Sequence, residues 1–264
     1  MSLPEPRPVV EFKVDKLSVA VFEDRAQMGR AAASAVARAI ADRQAQAGRA
    51  NVVFAAAPSQ DEFLAALGTG GAVDWSTVHG FHMDEYLGID PDHPASFRRY
   101  LNEHIFRLAG LPAERLHLIA GESTDRPLKT CLEYEAKLRA SPTDIVCAGI
   151  GENGHLAFND PPVADFLDPV DIKVVRLDHA CRLQQVHDGC FPNLEDVPTH
   201  AFTLTVPALL RAPVVSVVVP GPRKADAVQA TLRGPIAESC PASALRKHEG
   251  AMLYLDRESA RLVL

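Results

Sequence analysis

Short, continuously apolar runs rich in β-branched residues recur along this chain, with longer helical stretches between them. That alternation limits the fold more than any other feature of the sequence. Residues 18–22, 51–56, 77–81, 116–120, 144–149, 172–177, 214–219 and 252–255 read as strands. Residues 94–108, 128–140 and 223–232 read as helices, as does an Ala-rich stretch that Asp24 can cap and that stops near Gly48. Ser59 and Glu62 have the spacing of a capping box ahead of Phe63, Leu64 and Leu67. Strands without polar alternation are covered on both faces, so the expected fold is α/β: a doubly wound, mainly parallel, Rossmann-like sheet with helices on both sides. The 264 residues are expected to form a single domain, with 1–16 as an N-terminal extension and 160–171 as a Pro-rich loop or short lid.

Composition narrows the function. Hydrophobic residues make up 47% and charged residues 23%, which suits a packed globular chain. A formal charge of −7 argues against non-specific nucleic-acid binding but leaves room for an anionic small molecule held by a few placed cations. No run approaches the ~18 apolar residues of a membrane helix, and the first residues lack a secretory pattern. The five scattered cysteines suit free thiols in a reducing compartment. The expectation is a cytoplasmic protein with a small-molecule partner, no nucleic acid and no membrane; assembly into a homo-oligomer is left open.

In a sheet of this kind ligands bind beyond the carboxyl ends of the strands. Three segments there carry chemistry. In Phe81-His82-Met83-Asp84-Glu85-Tyr86-Leu87-Gly88, two adjacent carboxylates leave a strand end. Extended neighbours point opposite ways, so one can face a cleft as a general base while the other makes a structural contact. In Gly149-Ile150-Gly151-Glu152-Asn153-Gly154-His155-Leu156-Ala157-Phe158-Asn159-Asp160-Pro161, glycines permit tight turning. A histidine with a carboxylate five residues on can be held in one tautomer for proton transfer. In Pro220-Gly221-Pro222-Arg223-Lys224, a strand meets a helix start carrying two cations, where an anion would be compensated. No metal site stands out among the ten histidines. Gly149, Gly151 and Gly154 fit the G-x-G-x-x-G spacing, but no helix-start cap or acidic ribose partner accompanies them, which argues against a dinucleotide site. Neither a nucleophile elbow nor a P-loop is present.

Together these segments resemble the glucosamine-6-phosphate deaminase (isomerase) family, within the wider superfamily that includes 6-phosphogluconolactonases. Residues 81–88 look like its F-N-M-D-E-Y-x-G, residues 149–161 like its G-I-G-x-[DN]-G-H-I-A-F-N-E-P, and Gly221 to Lys224 with Gly234-Pro235 and Pro241-Ala242-Ser243 like its ending. The resemblance implies a cofactor-independent, metal-free enzyme that isomerises and deaminates an amino-sugar phosphate. Asp84 would move a proton between C1 and C2 and His155 would assist ring opening. Asn153 and Asp160 would complete the catalytic set. Ser59, Gln60, Glu85, Gly154, Arg182, Gln185 and Lys224 would meet the substrate. The alternatives are a 6-phosphogluconolactonase-type hydrolase and a non-catalytic sugar-phosphate sensor.

The departures fall at the anion end. The family's T-G-G-[TS] phosphate loop is Pro58-Ser59-Gln60-Asp61 here, with Asp61-Glu62 adding negative charge, and a phosphate-contacting arginine is His187. The basic segment of the family's effector site is replaced by residues 163–168, so no effector response is expected. Proton-transfer machinery is retained while substrate anchoring is rebuilt.

Overall fold

The computed structural model describes residues 6–264. Eleven strands are formed by these residues: β1 (Val10–Val14), β2 (Leu17–Phe22), β3 (Ala50–Phe54), β4 (Val78–His82), β5 (Asp84–Tyr86), β6 (Leu116–His117), β7 (Ile145–Ala148), β8 (Ile172–Arg176), β9 (His200–Leu204), β10 (Val214–Val219) and β11 (Ala251–Asp256). The α-helices are α1 (Arg25–Ala47), α2 (Asp61–Thr69), α3 (Phe97–Leu101), α4 (Arg107–Ala109), α5 (Pro127–Ala140), α6 (His179–His187), α7 (Val206–Leu209), α8 (Ala225–Arg233) and α9 (Arg257–Ala260). A π-helical turn, Asn102–Phe106, joins α3 to α4 in one continuous rod.

Eight strands make one sheet in the order β1-β2-β11-β10-β7-β3-β4-β6, parallel throughout except for β1 against β2. Successive residues feed opposite cores, as a two-sided sheet requires. Val52 and Phe54 pack with Met28, Ile40 and Leu64 of α1 and α2. Val53 packs on the other face with Tyr134 and Leu138 of α5 and Val228 of α8. The expected single-domain, doubly wound α/β fold is thus the observed one.

Three expectations need correction. The N-terminal extension is partly structural, because Val10–Val14 pairs with β2 as an antiparallel edge strand. Ser59 does not cap a helix. Residues Pro58–Gln60 form a 3₁₀ turn ahead of α2, whose N-cap makes no side-chain hydrogen bond. Glu62 turns instead to Arg25, 2.6 Å away. Finally, β5, β8 and β9 form a second, antiparallel sheet in the order β5-β9-β8. Only Met83 separates β4 from β5, so the chain leaves the main sheet and enters the small one within a single residue.

Connectivity reverses between β3 and β7: the chain winds outward through β3, β4 and β6 on one side, then returns to β7 and winds through β10 and β11 on the other, where β11 meets the N-terminal β2. A crevice opens beyond the carboxyl ends at such a switch point. The segments after β3, β7 and β10 line it, and β5 of the small sheet closes one wall.

Candidate active site

The crevice is a cleft of about 540 Å³ whose wall includes Ser59, Gln60, Asp84, His155, Gln185 and Lys224, six of the residues expected from the sequence. A wider opening of about 940 Å³ continues from it past Arg25, Asp61, Asp188 and Arg223. The two share Ser59, Asp188 and Lys224.

Asp84 is buried, and its carboxylate has no hydrogen-bond partner among the described residues. Burial, with the neighbouring Glu85 charge added, pushes its pKa well above the ordinary carboxylate range. A carboxyl raised in this way is a stronger base than a solvated one once ionised, and no described residue competes for its lone pairs.

Glu85 faces the other way, as strand alternation demands. It was expected at the substrate, but it is wholly buried and takes no part in the cleft wall. Its carboxylate accepts the backbone N–H groups of Tyr86, Phe97 and Arg98 at 3.0, 3.1 and 3.0 Å and the Ser96 hydroxyl at 3.0 Å. The Arg98 guanidinium lies 3.4 Å away. Burial pushes the Glu85 pKa up, and these N–H groups and the guanidinium pull it partly back. Glu85 therefore ties β5 to the start of α3.

The loop after β7 carries a histidine–carboxylate pair. His155 Nδ1 lies 3.0 Å from Asp160 Oδ1. Asn153 donates to the same oxygen at 3.0 Å and accepts the His155 backbone N–H at 3.1 Å, while Asp160 Oδ2 accepts the Asp178 N–H at 3.1 Å. Burial works to raise the Asp160 pKa, but His155, Asn153 and the Asp178 N–H together leave it below the ordinary value. An ionised Asp160 thus supports a proton on Nδ1, which leaves Nε2 to exchange protons with a ligand. Asn153 and Asp160 stand behind His155 and orient it; they do not line the cleft.

Gly154, expected at the substrate, is also set back. Its φ of +85° requires glycine, and an added Cβ would meet Cys240 Sγ at 2.9 Å. Its N–H is taken by the Gly151 carbonyl at 3.0 Å. Arg182, likewise expected to contact ligand, donates to the carbonyls of Leu194 and Val197 at 2.6 and 2.9 Å and braces the turn after α6. It too is absent from the cleft wall.

Gln185 does face the cleft, with its amide orientation set from behind. The buried Tyr86 hydroxyl donates to Oε1 at 2.8 Å, which leaves the NH₂ as the group open to a ligand. Gln60 is similarly fixed, donating to the Val218 carbonyl at 3.1 Å and to Ser59 Oγ at 3.2 Å. Lys224 is buried, with no hydrogen-bond or ion-pair partner among the described residues. Burial lowers its pKa, and the carboxylates of Asp188 and Glu152 pull it partly back.

Sequence reasoning missed Cys181, Asp188 and Arg25. Cys181 joins His155 and Asp160, with ligating atoms within 4.8 Å of one another, a donor set of the kind transition metals use. Burial and the nearby Asp160 push the Cys181 pKa well above normal, which favours the thiol over the thiolate that binds metal. Nothing in the spacing of these three residues signals that they meet.

One cleft thus brings together a buried carboxyl without a hydrogen-bond partner among the described residues, an imidazole beside a carboxylate and a buried ammonium, groups able to exchange protons and to meet an anion. Residues 23–163 match the family model described as glucosamine-6-phosphate isomerases/6-phosphogluconolactonase. The chain is 33% identical over 232 residues to a glucosamine-6-phosphate deaminase of Listeria innocua, covering 88% of this chain and 96% of that one. It superposes on a monomeric glucosamine-6-phosphate deaminase with a TM-score of 0.84 at 27% identity, covering 92% and 99% of the two chains. A 6-phosphogluconolactonase from Thermotoga maritima shares the fold, with a TM-score of 0.73 at 20% identity over 91% and 99%. The chain belongs to the glucosamine-6-phosphate isomerase/6-phosphogluconolactonase family. The resemblance carried by the three motifs therefore holds.

Proposed function

We propose that this protein catalyses aldose–ketose isomerisation with loss of ammonia on a 2-amino-2-deoxy sugar carrying an ester anion at its far end, sugar phosphates being the class its family name supplies. The observation that carries this reading is Asp84: a buried carboxyl without a hydrogen-bond partner among the described residues, in the same cleft as His155 and Lys224.

Lys224 holds the anionic end. His155 Nε2 relays the anomeric hydroxyl proton to the ring oxygen and so opens the ring. Asp84 takes the C2 proton and returns it to C1, which converts the amino aldehyde to a 2-imino sugar. Water adds at C2, ammonia leaves, and a ketose ester remains. No redox partner is needed, because the C2–H bond lost is balanced by the C1–H bond formed. Fixing all three groups on one cleft supplies the orientation that solution lacks.

The direct test is ammonia release from glucosamine 6-phosphate and other amino-sugar esters. Absence of ammonia with every amino sugar, alongside hydrolysis of a sugar lactone, would replace this reading with the hydrolase. His155→Gln is expected to lower turnover of the cyclic sugar about a hundred-fold or more. It should spare a pre-opened analogue, and an equal loss on both would remove His155 from ring opening.

A further inference from the structure

We infer that the distal anchor of the cleft is built for a single negative charge, so that it takes a tetrahedral monoanionic ester: a sulfate ester, or a phosphate ester in its singly protonated form. This rests on the reading of Asp84 and His155 as the proton-transfer machinery and specifies what the other end of the same substrate carries.

The inference comes from the charges around the opening and what each already does. Three cations stand there, Lys224, Arg25 and Arg223, against four carboxylates, Asp61, Glu62, Glu152 and Asp188. Arg25 is engaged by Glu62 from two sides, Nε to Oε1 at 2.6 Å and an NH₂ to Oε2 at 2.8 Å, and also donates to the Pro58 carbonyl at 3.0 Å. Arg223 donates to Asp188 Oδ1 at 2.6 Å and to the His187 carbonyl at 3.2 Å, and its Nε lies 3.3 Å from Glu152. The remaining Asp188 oxygen accepts from Gln184 at 3.3 Å. Asp61 accepts from the Tyr100 hydroxyl, with His104 3.7 Å away. His187 is turned toward Glu152, at 3.8 Å.

Lys224 is thus the one cation at the anchor without a protein carboxylate of its own among the described residues, and it is buried to 7% exposure. A buried ammonium in this state calls for one compensating charge from the ligand. A second charge would meet no free cation, and Asp188 and Asp61 line the same opening as Lys224. The Ser59 hydroxyl beside Lys224, already accepting from the Gln60 amide, is left with its O–H to donate to an ester oxygen without adding charge. Phosphate monoesters lose their second proton near pH 6, whereas a sulfate ester keeps one charge at every working pH.

The experiment compares kcat/KM for glucosamine 6-sulfate and glucosamine 6-phosphate across pH 5.5–8.5, with ammonia as the readout. Taking the ratio of the two esters cancels the pH dependence of the proton-transfer step, which both substrates share. The sulfate is expected to equal or exceed the phosphate at pH 8, and its advantage should shrink at least about five-fold toward pH 5.5 as the phosphate gains a proton. Asp188→Asn should move the pH 8 ratio toward the phosphate by about ten-fold. A preference for the phosphate of more than ten-fold at pH 8 overturns the inference and leaves the deaminase reading standing. So does a ratio that is flat with pH. Ammonia from neither ester, with both shown by thermal shift to bind, overturns the reaction assignment instead.

Discussion

Asp84→Asn should fold, release essentially no ammonia and melt above the native chain at pH 8. The asparagine keeps the shape of the side chain but cannot accept the C2 proton, so turnover should fall by at least about a thousand-fold. The rise in melting temperature follows from the same burial. A group whose folded pKa lies above its unfolded value adds stability below the ordinary carboxylate range and loses it as pH rises through the folded value. Asp84 is such a group, raised first by burial and then by Glu85. At pH 8 its ionisation therefore works against the fold, and a neutral amide removes that cost. The gap in melting temperature should narrow as pH falls below about 3, under the ordinary carboxylate value, where aspartic acid is neutral in both states. Turnover within ten-fold of native would take the base away from Asp84; a melting temperature below native at pH 8 would contradict its strained ionisation.

Glu85→Ala should be the most damaging single change near the site for stability, costing about 3–5 kcal/mol. Four hydrogen bonds lose their acceptor, and the Arg98 guanidinium loses its closest buried carboxylate. Total stabilities of folded domains are only about 5–15 kcal/mol, so the urea midpoint should drop by a large fraction. Glu85→Gln keeps the volume and one acceptor oxygen and should fall between. A loss under about 1 kcal/mol for the alanine variant, paired with a raised KM, would return Glu85 to the substrate.

The neighbouring pair Asp84 and Glu85 shows what was legible in the sequence and what was not. Strand alternation said that one carboxylate faces a cleft and the other a structural contact, and that is the arrangement found. The apolar runs placed the main sheet, and the rule of carboxyl ends placed Ser59, His155 and Lys224 in one crevice. The small sheet was not visible, because Asp84–Tyr86 is three residues long and His200–Leu204 mixes polar with apolar side chains. Arg182 and Gln185 lie three residues apart on α6, yet one braces a turn and the other faces the cleft. Helix rotation against its neighbours settles such a choice, and no local pattern encodes it. The negative charge at Asp61-Glu62 was legible too, but its neutralisation was not. Arg25 lies 37 residues before Glu62, and contact between them exists only once α1 packs on α2.

Thr203 joins the two halves of the chemistry. Its backbone pairs with Asp84 across the small sheet, and its hydroxyl accepts the Phe158 N–H at 3.1 Å, two residues short of Asp160. Asp84 and the His155 loop are therefore coupled through one buried side chain, and substitutions in the two should be non-additive. Ser59 and Lys224 stand outside this clamp, on turns that follow strands of the large sheet. The turns that carry Ser59 and Lys224 can thus change sequence without breaking the hydrogen bonds that hold Asp84 and the His155 loop together. A designer who wished to change what the cleft accepts would therefore work on two short turns and leave the clamp around Thr203 alone.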